Sequence, residues 1–157
     1  MDKDEIKSPD NEPQNTQSWK EEVFYQVFQS NPTPMAISRF EDAKYVDVNK
    51  AFLDFLEYKP EEVINHTSNE LQLFLDIIQS DKFLSKLAKL NKVRDFEVKM
   101  KTGSGATKHA LFTAESIKIK DEIFLLTIYN DITEKKIIEK KLQATSEHYN
   151  QIFDKRK

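Results

Sequence analysis

The chain of 157 residues has no cysteine and only two glycines. The first absence removes disulfides, thiolate metal sites, iron–sulfur clusters and cysteine nucleophiles together. The second confines any glycine-rich phosphate cradle to one stretch, "TGSGATK" from Thr102 to Lys108, which holds both Gly103 and Gly105. The spacing there is wrong for such a loop. A phosphate loop sets four residues between its glycines, follows the second with Lys-Ser/Thr, and joins a strand to a helix. Here one residue separates the glycines, His109 follows Lys108, and both flanks alternate like strands. The dinucleotide fingerprint fails too, because Lys108 stands where a third glycine belongs. A hairpin turn, where positive φ is often required, accounts for the pair. No charge of one sign dominates either. Lys and Arg number 24 against 27 Asp and Glu, intermixed, for a net charge of −3. No basic stripe calls for a nucleic acid. The longest apolar run, "IFLLTIY" from Ile123 to Tyr129, is too short to span a bilayer. The opening "MDKDEIKSPDNEPQNTQ" has neither the basic start nor the apolar run of a signal peptide. The expectation is a cytoplasmic chain whose residues make no membrane contact.

What is present is 38% hydrophobic and 32% charged residues, enough for one core beneath a solvated surface. Residues 1–16 are polar, lack a period, and read as a disordered tail. From Ser18, Trp19, Val23 and Val27 recur at four-residue steps beside Phe24 and Phe28, an amphipathic helix that ends at "NPTP". "MAISRF" and "KYVDVN" read as two short strands. Asn49 opens a short helix in which Phe52, Phe55 and Leu56 share a face, and Pro60 with two glutamates opens another at "PEEV". Apolar spacing predicts a longer helix from Leu73 to Leu90, with Phe74, Ile77, Ile78 and Leu84 in its stripe. "RDFEVKMK", "TKHALFTAESIKIK" and "EIFLLTIYND" alternate as three further strands. Five strands with short helices after the second predict an α+β fold on an antiparallel sheet. From Glu134 to Lys157 the pattern is helical. Ile138, Leu142, Thr145, Tyr149 and Ile152 follow heptad spacing, and Asp131 with Glu134 has the form of a capping box.

"NKAFLDFLEYKPEEVINH" carries a resemblance. It is similar to the PAS sensory domain, whose members read Asn-x-Ala-Phe-x-x-x-x-Gly-Tyr and then Glu-Glu. Asn49, Ala51, Phe52, Tyr58, Glu61 and Glu62 match, while Glu57 stands in place of the glycine. "NDITEKK" resembles the Asp-Ile-Thr motif that closes the last PAS strand, through Asp131, Ile132 and Thr133. The domain so read covers residues 17–133, with 134–157 as a helical linker, a coiled coil or the start of a second repeat. "EVFYQVFQSN" and "SEHYNQIFDK" echo each other, either as the opening helices of tandem modules or as unrelated amphipathic helices.

The resemblance implies helices folded over one sheet face around a pocket. Alternation names the lining: Phe96, Val98 and Met100 on one strand, Phe112 on the next, and Leu125, Thr127 and Tyr129 on the last. Phe52, Phe55, Phe74 and Ile77 join from the helices. These residues either line a site for a non-covalent small molecule or simply fill the core. No cofactor is predicted. A flavin–cysteinyl adduct lacks its cysteine, and haem lacks a histidine between Leu71 and Asn91. His66, His109 and His148 are too scattered for a metal cluster. The opposite face bears Leu111, Phe124, Leu126 and Ile128, which need a cover. The candidates are the first helix, through Val23, Val27 and Phe28, and a second copy of the chain in a homodimer.

The function implied is a sensory, non-enzymatic module at the amino end of a two-component sensor histidine kinase or similar protein. It would signal to an output domain in the same chain through Asp131, Ile132 and Thr133. A protein–protein interaction and dimerisation module with a filled core is the alternative.

Overall fold

A computed structural model of the chain describes residues 14–75, 85, 86 and 89–154. Helix α1 spans Gln14–Ser30, followed by strands β1 (Met35–Arg39) and β2 (Tyr45–Val48). Two short helices come next, α2 (Lys50–Leu56) and α3 (Pro60–Val63). Strands β3 (Lys92–Lys101), β4 (Thr107–Ile119) and β5 (Glu122–Asp131) complete the sheet, and α4 (Thr133–Asp154) leaves it.

The five strands form a single sheet in the order β2-β1-β5-β4-β3, and every neighbouring pair is antiparallel. The central strand is therefore the last in sequence. It pairs with β1 through Ile37–Leu126 and with β4 through Phe112–Tyr129. This is the α+β architecture that the alternation predicts. One face collects Ala36, Val98, Met100, Ala110, Phe112, Ala114 and Tyr129, all buried, against Phe52, Phe55 and Leu56 of α2 and Val63 of α3. Among the described residues, no helix is long and apolar enough to cross a membrane.

Three expectations change. Helix α1 begins at Gln14, inside the stretch read as tail, and residues 1–13 lie outside the described residues. The predicted helix from Leu73 does not start there, and most of its span, Ile77 included, lies outside the described residues. Phe74 instead pairs with Met100 in an isolated bridge, flanked by Leu75 N to Lys99 O at 3.0 Å and Lys101 N to Leu73 O at 2.8 Å. Residues 73–75 thus run extended along the outer edge of β3, where the unpaired backbone of an edge strand offers bonds that a local helix would forgo. The third change concerns α1. Phe28, expected on a seam, is buried within the chain, and α1 is tied to the α2 end of the molecule. Gln29 Nε2 donates to Val48 O at 3.3 Å and Gln29 Oε1 accepts from Lys50 N at 3.2 Å. Val23 and Val27 are exposed, as are Trp19 and Phe24.

Candidate functional site

Helix α2 has seven residues, too few to persist alone, so contacts distant in sequence must fix it. At its start sits Asn49, wholly buried. Its Oδ1 accepts from Phe52 N at 3.0 Å, the helix cap, and from Met35 N at 2.9 Å on β1. Its Nδ2 donates to Thr33 O at 2.8 Å and Asn31 O at 3.4 Å. One amide therefore binds α2, β1 and the end of α1 together. At the other end, Glu57 takes the left-handed conformation, φ 61° and ψ 45°. That conformation explains why related sequences place glycine there. In this chain the side chain accepts a hydrogen bond from Ser104 Oγ in the β3–β4 hairpin. The Ser104 and Thr102 hydroxyls hold the Glu57 carboxyl below its ordinary pKa. Gly103 N donates to Leu56 O at 2.8 Å, and a Cβ on Gly103 would overlap the Glu57 carbonyl. The glycine pair thus serves two needs. Gly103 permits close approach to α2, and Gly105 supplies φ +88° for the turn.

Between these ends the inner face is a chain of rings. Tyr45 lies 5.6 Å from Phe52, Phe52 5.6 Å from Tyr129, Tyr129 4.9 Å from Phe112, and Phe112 6.0 Å from Phe74. All but the first are edge-on, the geometry that ring quadrupoles favour. Thr127 Oγ1 donates to Ala36 O at 3.2 Å. The Tyr45 and Tyr129 hydroxyls bond to each other, and burial pushes both above the usual phenol range. Among the described residues no buried side-chain polar atom lacks a partner.

At the far end of β5, Asp131 Oδ1 accepts from Thr133 N at 2.9 Å. The expected capping box with Glu134 is replaced by this tighter turn. Ile132 N donates to His109 O at 2.9 Å, and Thr133 Oγ1 bonds both His109 N, at 2.9 Å, and His109 O, at 3.3 Å. The start of α4 is thereby bolted to β4. One turn later Lys136 Nζ reaches Glu97 Oε1 on β3 at 2.6 Å.

An open groove of about 630 Å³ lies outside the core. Its walls are the end of α1 (Gln29 to Asn31), Pro32 and Pro34, the outer side of α2 (Lys50, Ala51, Asp54, Phe55), Lys108 and Asp131.

A model of the PAS domain family matches residues 32–134. The chain belongs to the PAS domain family. Diguanylate cyclase DgcM of Escherichia coli strain K12 is 31% identical over 136 residues, covering 85% of this chain and 33% of that protein. Its counterpart in E. coli O157:H7 matches equally. The chain therefore spans about a third of the length of the curated relatives it matches. Among solved structures, a PAS domain from a two-component sensor histidine kinase superposes with TM-score 0.63 at 12% identity, over 73% of this chain and 98% of that one. The PAS domain of an HTR-like protein from Haloarcula marismortui gives 0.61 at 18%, over 76% and 100%. An RNA-binding Light-Oxygen-Voltage receptor gives 0.69 at 15%, over 94% and 43%. At such identities these structures share the fold.

Of the pocket candidates in this PAS domain, Phe52, Phe55, Val98, Met100, Phe112, Thr127 and Tyr129 converge and are buried; Phe74, Phe96 and Leu125 pack partly buried beside them. Of the set, Phe55 lines the groove. In the seam, Val23, Val27, Ile138, Leu142, Tyr149 and Ile152 are exposed, and Phe28 is not. Sequence reasoning missed Tyr45, the hub role of Asn49, the Glu57–Ser104 link and the groove. The misfit of Glu57 to the family's glycine was the one available signal for the link.

Proposed function

We propose that this PAS domain is an input module of a longer cytoplasmic signalling protein, without a catalytic role of its own. The output domain is a diguanylate cyclase or a histidine kinase, to which α4 relays the signal. The observation that carries the reading is the bolt between β4 and α4. Ile132 and Thr133 place three hydrogen bonds on the backbone of one residue, His109. A change in the register of β4 against β5 would therefore move α4 with it, as a rigid-element transition requires. The packed ring chain favours a signal arriving at the surface over one from a buried cofactor. The exposed Ile138, Leu142, Tyr149 and Ile152 fit a second copy of the chain, whose α4 would pair with this one. Sedimentation across a concentration range checks that homodimer.

The test of the relay replaces the matched segment of DgcM with this chain and measures diguanylate cyclase activity. Thr133→Val keeps shape and removes the two hydroxyl bonds to His109, leaving the one from Ile132 N. A shift in cyclase output with an unchanged melting temperature supports the relay. Unchanged output overturns it.

A further inference from the structure

We propose that the outer face of the sheet is covered by α1 of a second copy of the chain, and that the exchange is reciprocal. The proposal adds an interface to the homodimer read from α4, and it uses other residues.

Two apolar surfaces of this chain lack a cover among the described residues. The first lies along the central strand, on the face turned away from α2. Phe124, Leu126 and Ile128 of β5 have Ile117 beside them on β4, and Met35 and Ile37 on β1. Residues directly opposed across a ladder share a face. All six are half-buried, whereas Ala114, Thr127 and Tyr129 on the inner face are buried. A sheet face turned to water would carry polar residues at these positions. The second surface is on α1. Trp19, Val23, Phe24 and Val27 share one side of that helix by their spacing, and all are exposed, Trp19 and Phe24 at 62%. Exposure of that side means that α1 does not lay it on its own sheet. The helix is held in its own chain by Phe28 and Gln29 instead.

The two surfaces match in length and in charge. From Trp19 to Val27 a helix rises about 12 Å, and from Phe124 to Ile128 a strand rises about 13 Å. Lys20 stands within the α1 stripe, one turn from Phe24. The strip on the sheet is flanked by two carboxylates: Asp47 of β2 opposes Ile37, and Glu115 of β4 opposes Leu126. Among the described residues neither Lys20 nor Asp47 makes an ion pair. Burial pushes the Asp47 carboxyl above its ordinary pKa, a cost that a cation brought by a second copy offsets. Reciprocal exchange also closes at two copies, whereas a one-way contact would keep adding chains.

The chain has one tryptophan, Trp19, and no cysteine, so both are clean labels. The experiment dilutes the chain through its association range, followed by sedimentation and by Trp19 emission. The expected result is emission at shorter wavelength in the dimer than in the monomer. Val23→Glu, at an exposed position, should stay folded by circular dichroism and raise the dimer dissociation constant about tenfold. Val23→Cys oxidised in a mixture with Leu126→Cys or Ile128→Cys should give a disulfide-linked pair of the two variants. Glu61→Cys, exposed on α3, should link to neither. A monomer at every concentration overturns the proposal, as does a dimer whose Trp19 emission stays that of the monomer. Cross-linking of Val23→Cys only to itself, or as readily to Glu61→Cys, overturns it too. Leu142→Glu separates the two interfaces: an emission shift that persists supports the exchange, and loss of both shift and dimer assigns the dimer to α4 and overturns it. An unresponsive cyclase chimera with the emission shift intact would refute the relay alone.

Discussion

The two ends of α2 solve one problem in opposite surroundings. At the N-terminal end a single buried amide, Asn49, makes four hydrogen bonds to segments on either side of it in sequence. At the C-terminal end an exposed carboxylate and a close backbone contact join α2 to a hairpin 47 residues away. The first end anchors α2 to β1 and α1, at one edge of the sheet. The second anchors it to β3 and β4, at the other. A helix this short acts as a crossbar, and the difference teaches which bar-end bears cost. Where water is excluded, a lost partner leaves orphaned donors; where water enters, it replaces most of what is lost.

The comparison breaks first at Asn49. Asn49→Ala leaves Met35 N and Phe52 N without their acceptor, at about 1–3 kcal/mol for each buried donor. Urea denaturation should show a loss of about 3 kcal/mol in total. A loss under 1 kcal/mol would mean that water reaches this end as well.

Gly103→Ala comes next. The added methyl meets the Glu57 carbonyl, a backbone atom that moves only with the helix. Overpacking of this kind costs about 2 kcal/mol. Gly105→Ala, two residues on, has open space but a positive φ, and should cost about 1 kcal/mol. If the order reverses, the hairpin is not pressed against α2.

The smallest effect is electrostatic. Hydrogen bonds from Ser104 and Thr102 lower the Glu57 pKa from its reference of 4.5. A carboxylate lowered in the folded state contributes stability above its unfolded pKa and loses it as pH falls through the folded value. Wild type should therefore lose more stability than Glu57→Gln on acidification below pH 4.5. Parallel stability–pH curves for the two would show the link to be idle.

Much of this was legible beforehand. β5 has the predicted bounds, Glu122 to Asp131, because its apolar and polar residues alternate between a tight turn and a family motif. The inner-face residues of β3, β4 and β5 follow for the same reason. What local pattern could not show was partnership across the sheet. Leu73 and Phe74 have helical spacing, yet the open edge of β3 claims their backbone. Phe28 has seam spacing, yet Gln29 beside it fastens α1 to Val48 and Lys50. Asp131 and Glu134 have capping-box spacing, yet Thr133 satisfies the Asp131 carboxylate first. The groove needed three elements distant in sequence, so no stretch of residues announced it.

The chain owns one indole, at Trp19, exposed on α1 and remote from the ring chain of the core. Its emission is thus a built-in lamp for whatever settles on that helix, and it will shine on almost unchanged while the rings beneath come apart.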